Sequence, residues 1–343
     1  MFSRFFAKKE ASLLVNGRPV SVHPKDTILQ AALREGIEFP HSCRVGGCAK
    51  CKCRLLDGQV KNLTQFGYVL SEEEIQSGVI LACQSVPQGK VSVAVEEGAS
   101  IASQAVSGTV VAQVQLTHDI VRLHVQLEQA LDFRPGQFAT LELATLPGVK
   151  RSYSFASPAT SEGQVSFFVR RLPSGRFSGH VHEQSVLGQR ITVEGPHGDF
   201  WLRPSDRPLL MVAGGSGLAP ILAMLAQSAA TQPPRPVTVL FGARAQRDIY
   251  CGAEIARIAQ RWPTQFQHLT VLSAEPDGSG WPGARGMLAD VVGAHCAPGC
   301  EAYLCGPPPM VDAVFAALTA CGVPSQNIRA DRFATERTDL MVA

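Results

Sequence analysis

At 343 residues the chain is too long for one ordinary hydrophobic core, which points to two or three domains. Hydrophobic residues make up 45% of it and charged residues 17%, a balance that excludes a disordered chain. A formal net charge of +2 is too small for a nucleic-acid surface, and no run approaches the ~18 apolar residues of a membrane-spanning helix.

Residues Met1 to Lys9 are aromatic and basic, without the apolar stretch and small-residue cleavage site of a signal peptide. They read as a frayed terminus, and the protein is expected to be cytoplasmic. Next, Ser12 to Val15 and Pro19 to Val22 flank Asn16-Gly17, a strong hairpin signal. Asp26 then reads as the N-cap of a helix running to Glu35, with Gly36 as its stop and Ile28, Ala31, Ala32 and Leu33 as its buried stripe. A cysteine-rich loop leads to strand-like Cys53 to Leu56 and, later, Val91 to Val95. Hairpin, helix, loop and strands make a small α+β unit.

Glu96 to Ser107, rich in Ser, Ala, Gly and Gln, reads as a linker. Short alternating strands follow at Val110 to Val114, Val121 to Leu127, Phe138 to Leu143, Val165 to Arg170 and Ile191 to Val193, as in a barrel or sandwich. From Arg207 the texture changes. Apolar runs (Leu209 to Ala213, Val237 to Phe241, Thr270 to Leu272, Ala302 to Cys305) alternate with helical patterns (Leu218 to Ala229, Ala253 to Arg261, Met310 to Cys321), the signature of a doubly wound parallel α/β domain. The expected domains are 10–97, 105–204 and 206–335. There is no internal repeat and no low-complexity tract.

Ten cysteines with no export signal argue for reduced thiols rather than a disulfide framework. Cys43, Cys48 and Cys51 follow the C-x4-C-x2-C spacing, and Cys83 lies 32 positions further on. This is the plant-type spacing for one [2Fe–2S] cluster. Three ligands must converge from one tight loop. Gly46 and Gly47 permit the sharp turns, and small Ala49 leaves N–H groups free to point at inorganic sulfide. Zinc prefers paired C-x2-C units, and Cys83 has no close partner cysteine in sequence. Cys53 falls outside the four and reads as a spare thiol. Arg44, Lys50, Lys52 and Arg54 make the loop basic, fit either to steer an acidic partner or simply to be solvated.

Pro40-His41-Ser42-Cys43-Arg44-Val45-Gly46-Gly47-Cys48-Ala49-Lys50-Cys51 and Leu81-Ala82-Cys83-Gln84 resemble a plant-type ferredoxin domain. The resemblance implies a β-grasp fold.

Arg151-Ser152-Tyr153-Ser154 could pair with a pyrophosphate, stack on a flat ring and bond ring heteroatoms. Gly175-Arg176-Phe177-Ser178 stands at a helix start, where free N–H groups favour a phosphate. Gly214-Gly215-Ser216-Gly217-Leu218-Ala219-Pro220 follows an apolar strand and opens a helix, so its amides can close on a nucleotide's phosphates, though it is not the G-x-G-x-x-G fingerprint. Cys305-Gly306-Pro307-Pro308-Pro309-Met310 sits at the end of another such strand. Singly, each is compatible with an ordinary strand-to-helix turn.

In this order, residues 108 to about 333 resemble the ferredoxin–NADP reductase superfamily. The resemblance implies an antiparallel β-barrel that binds flavin through Arg151, Ser152, Tyr153, Ser154, Gly175, Arg176, Phe177 and Ser178. Phe168, Val169 and Arg170 match a second flavin-edge stretch. Gly214, Gly215, Ser216, Gly217, Cys305, Gly306 and Pro307 fall to the nicotinamide nucleotide, with Tyr153, Ser154 and Cys305 around the hydride path, and Phe333 matches a further cofactor-binding aromatic, close to which many relatives end. At the strand end, Asp248 suits the ribose diol of NADH, while Arg244 and Arg247 suit the 2′-phosphate of NADPH. The resemblance implies NADH.

A ferredoxin domain placed before this module resembles the reductase components of multicomponent bacterial oxygenases, in which FAD is the usual flavin. It implies electron flow from NADH to FAD to [2Fe–2S] to a terminal oxygenase or hydroxylase component, in aromatic hydrocarbon catabolism. The same layout also resembles reductases that feed a pyridoxamine-dependent deoxysugar dehydrase. A flavohaem-like sensor module and a zinc scaffold are readings from other classes. Ten residues follow Phe333; the tail either covers the flavin or is disordered.

Overall fold

A computed structural model describes residues 12–37, 39–41, 46, 50–64, 66, 69–70, 72–95, 104–231 and 235–333. Cys43, Cys48, Arg44, Gly47, Ala49 and the ten residues after Phe333 lie outside them. The chain divides into two compact units, one up to Ile101 and one spanning Ala102–Ala334.

In the first unit five strands form one sheet in the order β2-β1-β5-β3-β4. They are β1 (Ser12–Val15), β2 (Arg18–Ser21), β3 (Lys52–Asn62), β4 (Val79–Leu81) and β5 (Ser85–Ala94). The β1–β5 pair is parallel and the rest antiparallel. Asn16 and Gly17 take φ of +49° and +78°, as the expected tight hairpin demands. The Asn16 side chain also accepts from the Val95 N–H at 2.8 Å, tying the hairpin to the end of β5.

Helix α1 (Ile28–Arg34) packs Ile28, Leu29, Ala31 and Ala32 into the core, with Leu33 half-buried. Its N-cap is Thr27, not Asp26. The Gln30 N–H donates to Thr27 Oγ1 (3.2 Å) and the Thr27 N–H to Gln30 Oε1 (2.9 Å), a reciprocal box that outcompetes a lone carboxylate. Asp26 instead accepts from the His23 N–H and pairs with Arg34. Thr27→Ala is therefore expected to cost about 1 kcal/mol of stability, read as a lower denaturation midpoint, and Asp26→Ala less. A further short helix, α2 (Glu72–Gln76), follows.

The second unit holds two sheets. One runs β10-β7-β6-β11-β8-β9, all antiparallel. Its strands are β6 (Gln104–Thr117), β7 (Ile120–Leu127), β8 (Phe138–Leu143), β9 (Arg151–Ser154), β10 (Gln164–Arg170) and β11 (Arg190–His197). The bridge between Phe155 and Phe167 joins the outer edges and nearly closes a barrel around a buried core that includes Leu123, Leu141, Phe155 and Phe167. Strand β6 begins at Gln104, inside the expected linker, because Gln104 to Ser107 pair with Gly195 to Thr192 of β11. Helix α3 (Arg176–Glu183) follows β10.

The other sheet is parallel, in the order β15-β14-β13-β12-β16-β17. It comprises β12 (Leu209–Gly214), β13 (Val237–Ala243), β14 (Phe266–Leu272), β15 (Ala284–Arg285), β16 (Glu301–Gly306) and β17 (Ile328–Arg332). Strands β12 and β16 are buried along their whole length, as central strands covered on both faces must be. The helices are α4 (Leu218–Thr231), α5 (Gly252–Arg261), α6 (Leu288–Val291) and α7 (Pro308–Ala320). Strand order reverses between β12 and β16, and that switch point leaves a crevice at their carboxyl ends. Among the described residues no helix is long and apolar enough to cross a membrane.

Candidate functional site

Cys51 and Cys83 come from opposite ends of the ferredoxin-like sequence. One backbone bond, Ala82 N–H to the Cys51 carbonyl at 2.9 Å, brings their segments together, and both residues are buried. Gly46 adopts φ +85°, and a Cβ there would stand 2.7 Å from Gln84 Cγ, so the loop needs glycine at this point. A buried pair of sulfur donors suits an iron–sulfur cluster. Cys43 and Cys48 fall outside the described residues. Cys53 is also buried, on β3 opposite Ile80, and burial pushes its thiol up. Two of the basic loop residues are already engaged: Lys52 Nζ lies 2.6 Å from Glu74, and Arg54 donates to the Ser77 carbonyl.

In the second unit, a cavity of about 890 Å³ opens beside the barrel. Arg170, Arg171, Arg176 and Arg244 make its wall cationic, and Gly175 stands at its edge as the N-cap of α3. No side chain caps that helix start, so its N–H groups remain available to a phosphate. Cationic wall and open helix end together fit the pyrophosphate of a flavin dinucleotide.

The other expected flavin residues are placed unevenly. Arg151 and Ser152 are exposed on β9, Tyr153 is half-buried, and Ser154 is buried. The Tyr153 ring packs on Phe177, centroids 5.4 Å apart, and burial pushes its phenol up. Phe168, Val169 and Phe177 are buried, beneath the site rather than lining the cavity. Ser178 Oγ is taken up locally, accepting from the Leu172 N–H at 3.2 Å.

A second cavity, about 340 Å³, occupies the crevice at the parallel sheet's switch point. Gly214, Gly215, Pro307 and Met310 line it, along with Gly242 and Arg244 from the end of β13. Gly217 is buried where a Cβ would meet the Cys305 carbonyl oxygen at 2.3 Å. Gly306 has φ +151°, and a Cβ there would crowd the backbone of Gly214. Ser216 stands half-buried in the same turn. Such glycine-enforced close packing leaves room for a nucleotide against the backbone. The Phe333 N–H donates to the Gly306 carbonyl at 2.9 Å. Cys305 is fully buried and opens onto neither cavity; burial, then the nearby Asp331, pushes its thiol well up.

Three residues line both cavities: Asp119, Arg170 and Arg244. Asp119, in the β6–β7 turn, holds Arg170 Nε at 3.0 Å and Arg244 Nη2 at 3.5 Å. Partial burial pushes its carboxyl up, but the Thr117 hydroxyl, Arg170 and His118 outweigh that and hold it below the ordinary 3.8. A lowered acid contributes fully above its ordinary value and loses its contribution as pH falls through the lower folded one. Flavin retention is thus expected to stay flat from about pH 5 to 8, as followed by filter-bound flavin absorbance.

Sequence reasoning missed Asp119, because a Thr-His-Asp turn reads as an ordinary hairpin. It also missed Tyr250, whose buried hydroxyl donates to the Gly215 carbonyl (2.8 Å) between Phe168 and Phe241. Asp248 lines the second cavity; one of its oxygens accepts from the Ala245 N–H (2.9 Å), and the other faces His118 at 3.4 Å. Arg247 is exposed.

A barrel with a cationic cavity, a parallel sheet with a nucleotide crevice and a cysteine-ligand unit define a flavin- and iron–sulfur-dependent NAD(P)H oxidoreductase. Residues 13–88 match the 2Fe-2S iron-sulfur cluster binding domain family, 107–201 the oxidoreductase FAD-binding domain and 211–315 the oxidoreductase NAD-binding domain. The chain is 39% identical over 334 residues to the electron transfer component of xylene/toluene monooxygenase from Pseudomonas putida, covering 96% of this chain and 95% of that one. It is 33% identical over 340 residues to the reductase component of propane 2-monooxygenase from Mycolicibacterium goodii, covering 93% and 96%. Among solved structures, the ferredoxin reductase in carbazole 1,9a-dioxygenase superposes with a TM-score of 0.68 at 32% identity, covering 94% of this chain and 98% of that one. The chain belongs to the ferredoxin–NAD(P)+ reductase family of oxygenase reductase components, with FAD-binding, [2Fe–2S]-binding and nicotinamide-nucleotide-binding domains.

Proposed function

We propose that this chain passes electrons from NADH through FAD and its [2Fe–2S] cluster to a terminal oxygenase component acting on a hydrocarbon. The observation that carries this reading is the sharing of Asp119, Arg170 and Arg244 by the two cavities. A flavin in one and a nicotinamide nucleotide in the other would be neighbours, so positioning supplies much of the rate. The flavin, when bound, takes two electrons as hydride and releases them singly.

The chain's own residues hold and orient these groups. Cys43, Cys48, Cys51 and Cys83 ligate the cluster. Arg151, Arg170, Arg176 and the α3 start take the flavin phosphates, with Tyr153 and Ser154 at the ring. The glycines from 214 to 217, with Gly306 and Pro307, admit the nucleotide, and Cys305 excludes water behind it. The working divisions are the ferredoxin domain 10–97, the flavin domain 105–204 and the nucleotide domain 206–335. NADH is favoured because Asp119 and Asp248 offset the charge of Arg244, which with Arg247 is one of two exposed arginines at the strand end. A kcat/KM ratio favouring NADH over NADPH by about tenfold or more, a difference of about 1.4 kcal/mol, is expected in steady-state assays. Equal ratios would sink that part.

The partner is tested by reconstitution. Substrate hydroxylation coupled to NADH consumption with an oxygenase component supports the reading. Coupling only to a pyridoxamine-dependent dehydrase would replace it.

A further inference from the structure

Cys296 and Cys300 take no part in the proposed electron path. They bracket the turn Cys296-Ala297-Pro298-Gly299-Cys300, just before β16. The Cys300 N–H donates to the Ala297 carbonyl at 3.1 Å, closing a β-turn. Gly299 sits at its third position with φ +69°, as a type II turn requires, and Pro298 suits the second. The turn folds the chain back so that the two Sγ atoms lie 3.4 Å apart. Closing them to the ~2.05 Å of a disulfide takes about 1.4 Å. Cys300 is buried at 1% exposure, while Cys296 is only half-buried and open to a small solute. Neither lines a cavity of the site.

We propose that Cys296 and Cys300 form a reversible dithiol–disulfide site oxidised by hydrogen peroxide. The Cys296 sulfur, as thiolate, attacks one peroxide oxygen. The O–O bond breaks, and the departing hydroxide takes a proton to leave as water, giving a sulfenic acid. Cys300 then gives up its proton and attacks the Cys296 sulfur; the S–O bond breaks, a second water leaves and the S–S bond forms. Two electrons pass from the thiol pair to peroxide, so one dithiol and one peroxide give one disulfide and two waters. Resting on the flavoprotein reading, the natural source is reduced flavin exposed to dioxygen while no acceptor is bound. Burial and the Cys296 thiol both push the Cys300 thiol up, so Cys300 waits protonated until its neighbour is oxidised.

The test uses the holoprotein, reduced with a mild thiol reductant, then treated with added hydrogen peroxide, which makes the outcome independent of the flavin. Alkylation before and after re-reduction is followed by digestion with trypsin and a glutamate-specific protease. The resulting fragment Gly286 to Glu301 contains Cys296 and Cys300 and no other cysteine. The expected result is a fragment lighter by two hydrogens, without alkylatable thiol, restored on re-reduction. Cys296→Ser and Cys300→Ser should each abolish the loss, and Cys321→Ser should leave it intact. The proposal is overturned if both thiols stay alkylatable while a small dithiol in the same tube is oxidised. A Cys296 link to Cys321, or Cys296 sulfinic acid beside a free Cys300, would overturn it equally.

Discussion

Cys83→Ser is expected to bring NADH-driven cytochrome c reduction down to background while NADH still bleaches the flavin. Cys83 is buried at 4% exposure, in the segment joined to that of Cys51 through the Ala82 N–H. A serine oxygen is a poor replacement for a thiolate that must hold iron, so the variant loses cluster iron. The nucleotide and flavin cavities belong to the other compact unit, whose sheets and cores contain none of the four cluster cysteines. Hydride transfer to flavin should therefore survive. Cys53→Ser, in the same buried core, should keep the cluster iron, which separates ligation from burial. If Cys83→Ser retained full iron and full cytochrome c reduction, Cys83 would not be a ligand.

Gly217→Ala is expected to raise the dissociation constant for NADH by about tenfold to a hundredfold while leaving the iron content unchanged. The added Cβ would stand 2.3 Å from the Cys305 oxygen and 2.6 Å from its carbonyl carbon. Cys305 cannot retreat, because it lies on β16, paired on one side with Ala213 of β12 and on the other with Asp331 of β17. The glycine loop must move instead, taking its amides off the crevice at a cost of about 1–3 kcal/mol. Gly252→Ala is the control, since nothing lies within 4 Å of a Cβ there. Unchanged NADH binding in Gly217→Ala would remove this loop from the nucleotide site.

The parts legible in the sequence are those where chemistry forces spacing. Four thiolates around one cluster need a turn of fixed length, so the spacing of Cys43, Cys48, Cys51 and Cys83 marks a 2Fe-2S domain, the family that residues 13–88 match. The parallel strands were equally plain, because β12 and residues 302–305 of β16 are apolar, while the buried Glu301 that opens β16 is paired with Arg235 at 3.1 Å. Long-range placement was not legible. Asp119 matters through two arginines 51 and 125 residues away, and no local pattern records that. Tyr250 looks like any core tyrosine until its hydroxyl is seen on Gly215. Asp248 lines the nucleotide crevice, but a short turn at Gln246–Asp248 also draws one carboxylate oxygen onto the Ala245 N–H, a contact no motif records. At Thr27 the residue three positions on decided the cap, since only Thr27 has Gln30 to answer it.

The central claim, one path from nicotinamide to flavin to cluster, is tested most directly by an anaerobic visible spectrum before and after one equivalent of NADH. Flavin absorbance overlapping that of an iron–sulfur cluster, with both bleaching on addition, is the predicted result. A flavin-only spectrum without cluster iron would contradict it and leave an NADH-binding flavoprotein.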